Sequence, residues 1–198
     1  MIKSLTSDEI YRKIVEQLPK FDKFKDNIKR NISDEGNYFP ILYQNIYSSI
    51  IPPFRKDLLT SKKYLALLNA VYNTHLSNEA YEVILERIKP KNFDDYSSTL
   101  EAFKGCNPKS NSIADALSFG TKVLHTYNPF KNPILDSVVR GNLGLDRLTV
   151  QLCLDFREAM NRFVESNEKY FSDIRDILKE FGLRQDYPVM KVLDMALY

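Results

Sequence analysis

Apolar residues recur at every third or fourth position along most of this chain, which is the period of an α-helix with one buried face. The first such segment begins near Ser7, where Asp8 and Glu9 favour a helix N-terminus, and it ends at Pro19. Similar segments follow near residues 21–32, 38–51, 61–72, 77–89, 96–105, 148–163, 170–178 and 189–198. No stretch of the sequence sustains the two-residue alternation of a β-strand. The pattern predicts an all-α fold with roughly nine to eleven helices.

The length and composition suit a folded protein with a proper core. A chain of 198 residues that is 43% hydrophobic forms a single domain over residues 1–198, either one compact body or two small lobes that share an interface. It carries 28 Lys and Arg residues against 26 Asp and Glu residues, a formal net charge of +2. Such a balance creates no strong overall field toward a polyanion, so any contact with nucleic acid has to be local.

Cysteine and histidine are too few for a structural metal site. A closed zinc site needs four nitrogen or sulfur ligands, whereas the chain offers Cys106, Cys153 and two histidines. We therefore expect reduced thiols, no metal and no cofactor. The N-terminal residues lack the apolar core of a signal peptide, and no later run approaches the roughly 20 apolar residues that span a bilayer. The sequence predicts a soluble, cytoplasmic protein without a membrane partner.

Residues 118–145, SFGTKVLHTYNPFKNPILDSVVRGNLGL, combine groups that suggest chemistry. The apolar pattern of IADALSFGTKVLHTY, which leads into this stretch, fits one long helix or two helices folded about residues 118–120, because glycine inside a helix costs only about 1 kcal/mol. We favour the two-helix hairpin. Thr121 and Lys122 would then lie in the first turn of the second helix. There, free backbone N–H groups favour a phosphate, and the positive end of the helix dipole lowers the pKa of a lysine.

Three short motifs stand in this region: GTKV at residues 120–123, PILD at 133–136 and SVVRGNLGL at 137–145. Together they resemble the helix-hairpin-helix DNA glycosylase superfamily, in particular 8-oxoguanine DNA glycosylases and their diverged bacterial relatives. The match covers about 30 of the 198 residues. The resemblance implies a two-lobed, all-α fold of the helix-hairpin-helix glycosylase type, with the site in the 105–145 region and double-stranded DNA as the partner.

By this resemblance, Lys122 corresponds to the lysine that attacks the sugar C1′, and Asp136 to the carboxylate that assists it. Breaking an N-glycosidic bond develops positive charge on the sugar, which a carboxylate stabilises. An amine then captures C1′ as a Schiff base, which permits strand cleavage by β-elimination. Each residue also has a purely structural interpretation: Lys122 as a solvated helix lysine, and Asp136 as a helix N-cap, a role that is compatible with catalysis.

Four further residues are candidates for contacts with DNA. Gly120 and Thr121 stand at the expected helix start, where a phosphate binds. His125 lies one helical turn beyond Lys122 and either contacts a phosphate or moves protons, or else it pairs with a backbone carbonyl. Arg140 either binds a phosphate or is an ordinary surface arginine.

The sequence also departs from the family pattern. The DNA-binding hairpin of the family usually reads Leu-Pro-Gly-Val-Gly, whereas residues 116–120 read Ala-Leu-Ser-Phe-Gly and keep only the last glycine. The interval from Lys122 to Asp136 is also several residues shorter than usual. Two functions follow as hypotheses. One is a base-excision glycosylase and lyase that uses Lys122, and the other is a non-catalytic all-α module that binds nucleic acid or a protein partner.

Overall fold

The structure, a computed structural model, describes residues 5–34, 39–49, 61–88, 95–109 and 112–198. The regular structure of this part is almost entirely helical, so the predicted all-α class is confirmed. In chain order the described elements are α1 (Ser7–Gln17), α2 (Phe21–Ser33), α3 (Phe39–Ser49), α4 (Lys62–Tyr72), α5 (Asn78–Arg87), α6 (Tyr96–Glu101), β1 (Asn107–Lys109), β2 (Ser112–Ala114), α7 (Leu117–Tyr127), α8 (Ser137–Asn142), α9 (Val150–Ser166), α10 (Glu168–Glu180) and α11 (Val189–Leu197). The end predicted for the helix at residues 38–51 lies outside the described residues.

Side chains at the helix starts explain why many of these helices begin where they do. The Thr6 hydroxyl accepts a hydrogen bond from the backbone N–H of Glu9, while the Glu9 carboxylate accepts one from the Thr6 N–H at 2.8 Å. This capping box satisfies two of the free N–H groups of α1. Ser61, Ser77 and Thr149 cap α4, α5 and α9 in a similar way through their hydroxyls.

Buried apolar side chains form one connected cluster that extends from α1 to α11. Helix α9 packs against α1, α6, α10 and α11. Helix α11 is buried on nearly all sides, since every residue from Met190 to Leu197 is buried. Its last carbonyls are satisfied from neighbouring elements: Asn27 Nδ2 donates to the Ala196 carbonyl at 2.8 Å, and Asn142 Nδ2 donates to the Leu197 carbonyl at 2.9 Å. The division into two lobes stays a prediction.

The central stretch folds differently from the expected hairpin of two helices. Helix α7 is continuous from Leu117 to Tyr127, so the prediction of two helices folded about residues 118–120 is wrong. The residues that precede α7 are not helical, because Ser112–Ala114 forms β2, which pairs antiparallel with β1. Strands of three residues are too short to show a period of two in the sequence. Lys122 consequently lies beyond the first turn of α7, away from the free N–H groups at its N-terminus.

Gly120 permits α7 to approach the segment that follows α6. A Cβ atom added at Gly120 would lie 2.8 Å from Cδ2 and 2.9 Å from Cγ of Phe103, and 3.1 Å from Cδ2 of Leu100. Both side chains are fully buried, so neither moves aside without disturbing the core. The glycine therefore serves helix packing.

No helix among the described residues combines the length and the apolar composition that a bilayer span requires.

We expect Gly120→Ala to lower the free energy of unfolding by about 1–3 kcal/mol, because overpacking against Phe103 outweighs the gain in helix propensity. Gly141→Ala is the matched control. Gly141 is also a helical glycine, but apart from its chain neighbours and the backbone of its own helix, no described atom lies within 4 Å of an added Cβ. The stability of this variant should therefore be unchanged or slightly raised. Urea denaturation of both variants measures the difference. Equal stability of the two would contradict a packing role for Gly120.

Candidate functional site

Lys122 and Asp136 line the same cavity, which has a volume of about 760 Å³. Its walls come from α2, α3, α4, α7 and α11, together with the segment that leads into α8. This volume falls in the range of roughly 300–1,000 Å³ that is typical of small-molecule sites. The structure thus brings together the two residues that the sequence singled out for catalysis, although they come from different elements.

The Lys122 side chain is held inside the cavity wall. The residue is 8% exposed, and its Nζ lies 3.4 Å from the Ser118 Oγ and 5.5 Å from the centre of the Tyr72 ring. Burial lowers the pKa of Lys122, the charges of Asp136 and Asp194 oppose this shift, and the charge of Lys191 adds to it. Desolvation is therefore the main cause of the lowered pKa of Lys122, and not the helix N-terminus as the sequence predicted.

Asp136 is the N-cap of α8, as the structural interpretation expected. Its Oδ1 accepts hydrogen bonds from the backbone N–H of Val138 at 3.0 Å and of Val139 at 3.1 Å. Its Oδ2 has no hydrogen-bond partner in the described part of the chain, and the residue is half-buried at the cavity. Capping uses one carboxylate oxygen, so the other is available to a ligand.

Gly120 and Thr121 do not form the DNA contact that the sequence predicted, because both are buried. The Thr121 hydroxyl donates to the Ser118 carbonyl at 2.8 Å and accepts from the backbone N–H of Leu135 at 3.1 Å. This second bond fastens the PILD segment to α7. Thr121 therefore helps to hold Asp136 at the cavity that Lys122 lines, and its own side chain has no surface for a phosphate.

His125 is fully buried, so the expected contact with DNA is wrong and the alternative interpretation, a partner to a backbone carbonyl, is confirmed. Its Nδ1 lies 2.7 Å from the Asn132 carbonyl oxygen, and its Nε2 lies 2.7 Å from the Tyr43 hydroxyl. Because a carbonyl only accepts, Nδ1 carries the proton and Nε2 accepts from Tyr43. Burial lowers the pKa of His125 to about 3, so the ring is neutral near pH 7.

Arg140 lies outside the cavity of Lys122. It lines a separate surface pocket with Arg147 and Asp115, and its Nη1 donates to the Asp146 carbonyl at 2.9 Å. Half-buried, it holds the loop between α8 and α9 in place. A contact between Arg140 and a DNA phosphate stays a prediction.

The sequence analysis missed two charged residues of the cavity, Lys191 and Asp194 of α11. They form a buried ion pair, with side chains only 7% and 3% exposed, and the Lys191 ammonium also lies 4.8 Å from the centre of the Phe39 ring. A signal was present in the segment VMKVLDMALY. A helix that is apolar on every side is buried, so charges three residues apart on it are buried as well and must pair.

No group of three or more His, Cys, Asp or Glu residues that could hold a metal ion occurs in the part of the chain that the structure describes. Comparisons of the chain with protein-family models, with curated proteins and with solved structures found no match. The geometry of the cavity is therefore the basis for a proposal about function.

Because His125 is buried and neutral, we expect the free energy of unfolding to depend on pH. Its folded pKa of about 3 lies below the ordinary value of 6.5, so within this window the unfolded chain binds a proton that the folded protein does not. Its contribution to the free energy of unfolding is complete above about pH 6.5 and falls with decreasing pH by up to about 1.4 kcal/mol per unit.

Urea denaturation of the wild type and of His125→Asn at several pH values between about 7 and 4 measures this contribution. Asparagine keeps a donor for the Asn132 carbonyl but does not titrate. We expect a shallower fall in stability for the variant, whatever its stability at neutral pH. If the free energy of unfolding fell equally with pH in both proteins, the assignment of a neutral, buried His125 would be contradicted.

Proposed function

We propose that this protein is a DNA glycosylase and lyase of the base-excision type, in which Lys122 is the nucleophile and Asp136 the assisting carboxylate. The observation that carries the proposal is a buried lysine, its pKa lowered by desolvation, that lines one cavity with a partly free carboxylate. A lysine attacks carbon only as the neutral amine, so burial favours the reactive form.

The two residues have complementary parts in this mechanism. As the N-glycosidic bond breaks, its electron pair leaves with the base, which takes up a proton, and the sugar becomes positive at C1′. The Asp136 carboxylate stabilises that charge. The neutral Lys122 amine then forms a bond to C1′, and opening of the sugar ring gives a Schiff base. Loss of a proton from C2′ expels the 3′ phosphate by β-elimination.

One wall of the cavity is aromatic, which suits a planar ligand. The rings of Phe39 and Tyr72 lie 5.5 Å apart at an interplanar angle of 49°. Both line the cavity, and Lys122 contacts the Tyr72 ring. Enzymes that act on a base in DNA extrude it from the stack and hold it against aromatic or apolar side chains. A base in this cavity would have such a surface next to the amine.

The second candidate function, a non-catalytic module, is favoured by a different observation. Helix α7 is continuous over the residues expected to form the hairpin, and Gly120 is packed against Phe103, so its backbone does not meet a phosphate. A glycosylase would have to hold DNA through other surfaces, such as the pocket of Arg140 and Arg147.

Borohydride trapping separates the two functions. We expect a covalent adduct when the protein is incubated with duplexes that contain 8-oxoguanine, uracil or an abasic site, because borohydride reduces a Schiff base irreversibly. Lys122→Gln keeps a polar side chain of similar length but has no amine, so the adduct should be lost. Lys131→Gln is the matched control, because Lys131 is exposed and does not line the cavity. Absence of an adduct with all three duplexes would contradict the proposed chemistry.

Asp136→Asn tests the carboxylate without removing the helix cap. Asparagine caps helices about as well as aspartate, so the free energy of unfolding should change by less than about 0.5 kcal/mol. The rate of base release should fall about 100-fold or more, because the charge that stabilises the sugar cation is gone. Single-turnover assays and urea denaturation provide the two measurements. A rate close to that of the wild type would restrict Asp136 to capping.

A further inference from the structure

Two polar atoms of residues that line the cavity have no hydrogen-bond partner among the described residues, namely the Tyr72 hydroxyl oxygen and Asp194 Oδ1. Both atoms are shielded from water. A buried donor or acceptor without a partner costs free energy, and such groups are rare in folded proteins unless they have a use. One of these groups is a donor and the other an acceptor, so together they match a ligand that carries the opposite pair.

The surroundings act on both groups. Burial raises the pKa of Asp194, and the Lys191 ammonium opposes this shift. The second carboxylate oxygen of Asp194 is paired with the Lys191 ammonium, which orients the side chain and leaves Oδ1 free to accept. Burial raises the pKa of the Tyr72 hydroxyl, and the charge of Asp194 raises it further, so the hydroxyl keeps its proton and donates. The two groups thus interact electrostatically but do not form a hydrogen bond with each other.

We propose that Tyr72 and Asp194 select the ligand of this cavity by binding the lactam edge of a nucleobase, in which a ring N–H stands beside a C=O group. The N–H donates to Asp194 Oδ1, and the C=O accepts from the Tyr72 hydroxyl. Guanine-type and uracil-type bases carry this edge. A ring N–H of a lactam is more acidic than an exocyclic amino group, so it forms the stronger hydrogen bond to a carboxylate.

This inference rests on the proposed function for its ligand class, a base extruded from DNA, but the binding itself needs no reaction at Lys122. It also gives the Tyr72 ring a second contact, since one face lies near the Lys122 amine while the hydroxyl binds the base. Tyr72 and Asp194 are then specificity residues, whereas Lys122 and Asp136 act on the sugar.

Binding of free nucleosides tests the ligand class. Equilibrium dialysis of the full chain compares 2′-deoxyguanosine and 2′-deoxyuridine with 1-methyl-2′-deoxyguanosine, 3-methyl-2′-deoxyuridine and 2′-deoxyadenosine. We expect one or both of the unmethylated lactam nucleosides to bind, and which one binds identifies the type of base. Methylation of the ring nitrogen should weaken binding about tenfold or more, because it removes the donor to Asp194, and deoxyadenosine should bind at least about tenfold more weakly. Equal binding of methylated and unmethylated nucleosides, or no binding of either lactam, overturns the proposal.

Tyr72→Phe tests the residue assignment. Because the hydroxyl has no partner in the described part of the chain, its removal should not lower the thermal unfolding midpoint, yet lactam binding should weaken about tenfold. Tyr96→Phe is the matched control: its hydroxyl is also buried without a described partner, but Tyr96 does not line the cavity, so affinity should be unchanged. Unchanged affinity in Tyr72→Phe overturns the assignment.

The experiments also separate this inference from the proposed function. Binding of lactam nucleosides through Tyr72, without a borohydride adduct on any duplex, means that the inference stands and the lyase chemistry fails. An adduct at Lys122 without any preference for lactam bases means that the lyase chemistry stands and the inference fails.

Discussion

Helix α11 is buried along nearly its whole length, and this constraint shapes both the core and the cavity. Its residues from Met190 to Leu197 are all buried, and carbonyls at its C-terminal end are bonded by Asn27 and Asn142. A helix end can be buried only when such partners exist, because an unbonded carbonyl in the interior is costly. Since Lys191 and Asp194 belong to this helix, they enter the interior with it. Their pairing lowers the cost of burying each charge.

The two lysines of the cavity therefore have different chemistry. Lys191 has a carboxylate partner in direct contact, which holds its charge in place. Among the described residues, Lys122 contacts the Ser118 hydroxyl at a long distance and the face of the Tyr72 ring. Desolvation is the main influence on this lysine and lowers its pKa. The cavity thus contains one lysine that is paired with a carboxylate and one whose pKa is lowered by burial. This difference is the reason for proposing Lys122, and not Lys191, as the nucleophile.

Several polar residues of the central motif act by holding one segment in place. The Thr121 hydroxyl bonds to the Leu135 backbone, and the His125 ring bonds to the Asn132 carbonyl. Both contacts fix the turn between α7 and α8 against α7. Asp136 follows that turn and caps α8, so these bonds help to place it at the cavity that Lys122 lines. Residues that resemble a DNA-contacting motif in sequence thus contribute to the geometry of the site from inside the protein.

The sequence by itself determined the helical class and most helix positions, because helix period, caps and proline stops depend on neighbours within one or two turns. Lys122 and Asp136 were singled out by a resemblance of short motifs, and the structure shows that both line one cavity. Only the tertiary structure decided that α7 starts at Leu117, that Gly120, Thr121 and His125 face inward, and that Lys191 and Asp194 join the cavity. Desolvation and hydrogen bonding depend on which distant segments surround a side chain. For Lys122, those segments are α4 and α11, which no local pattern around residue 122 encodes.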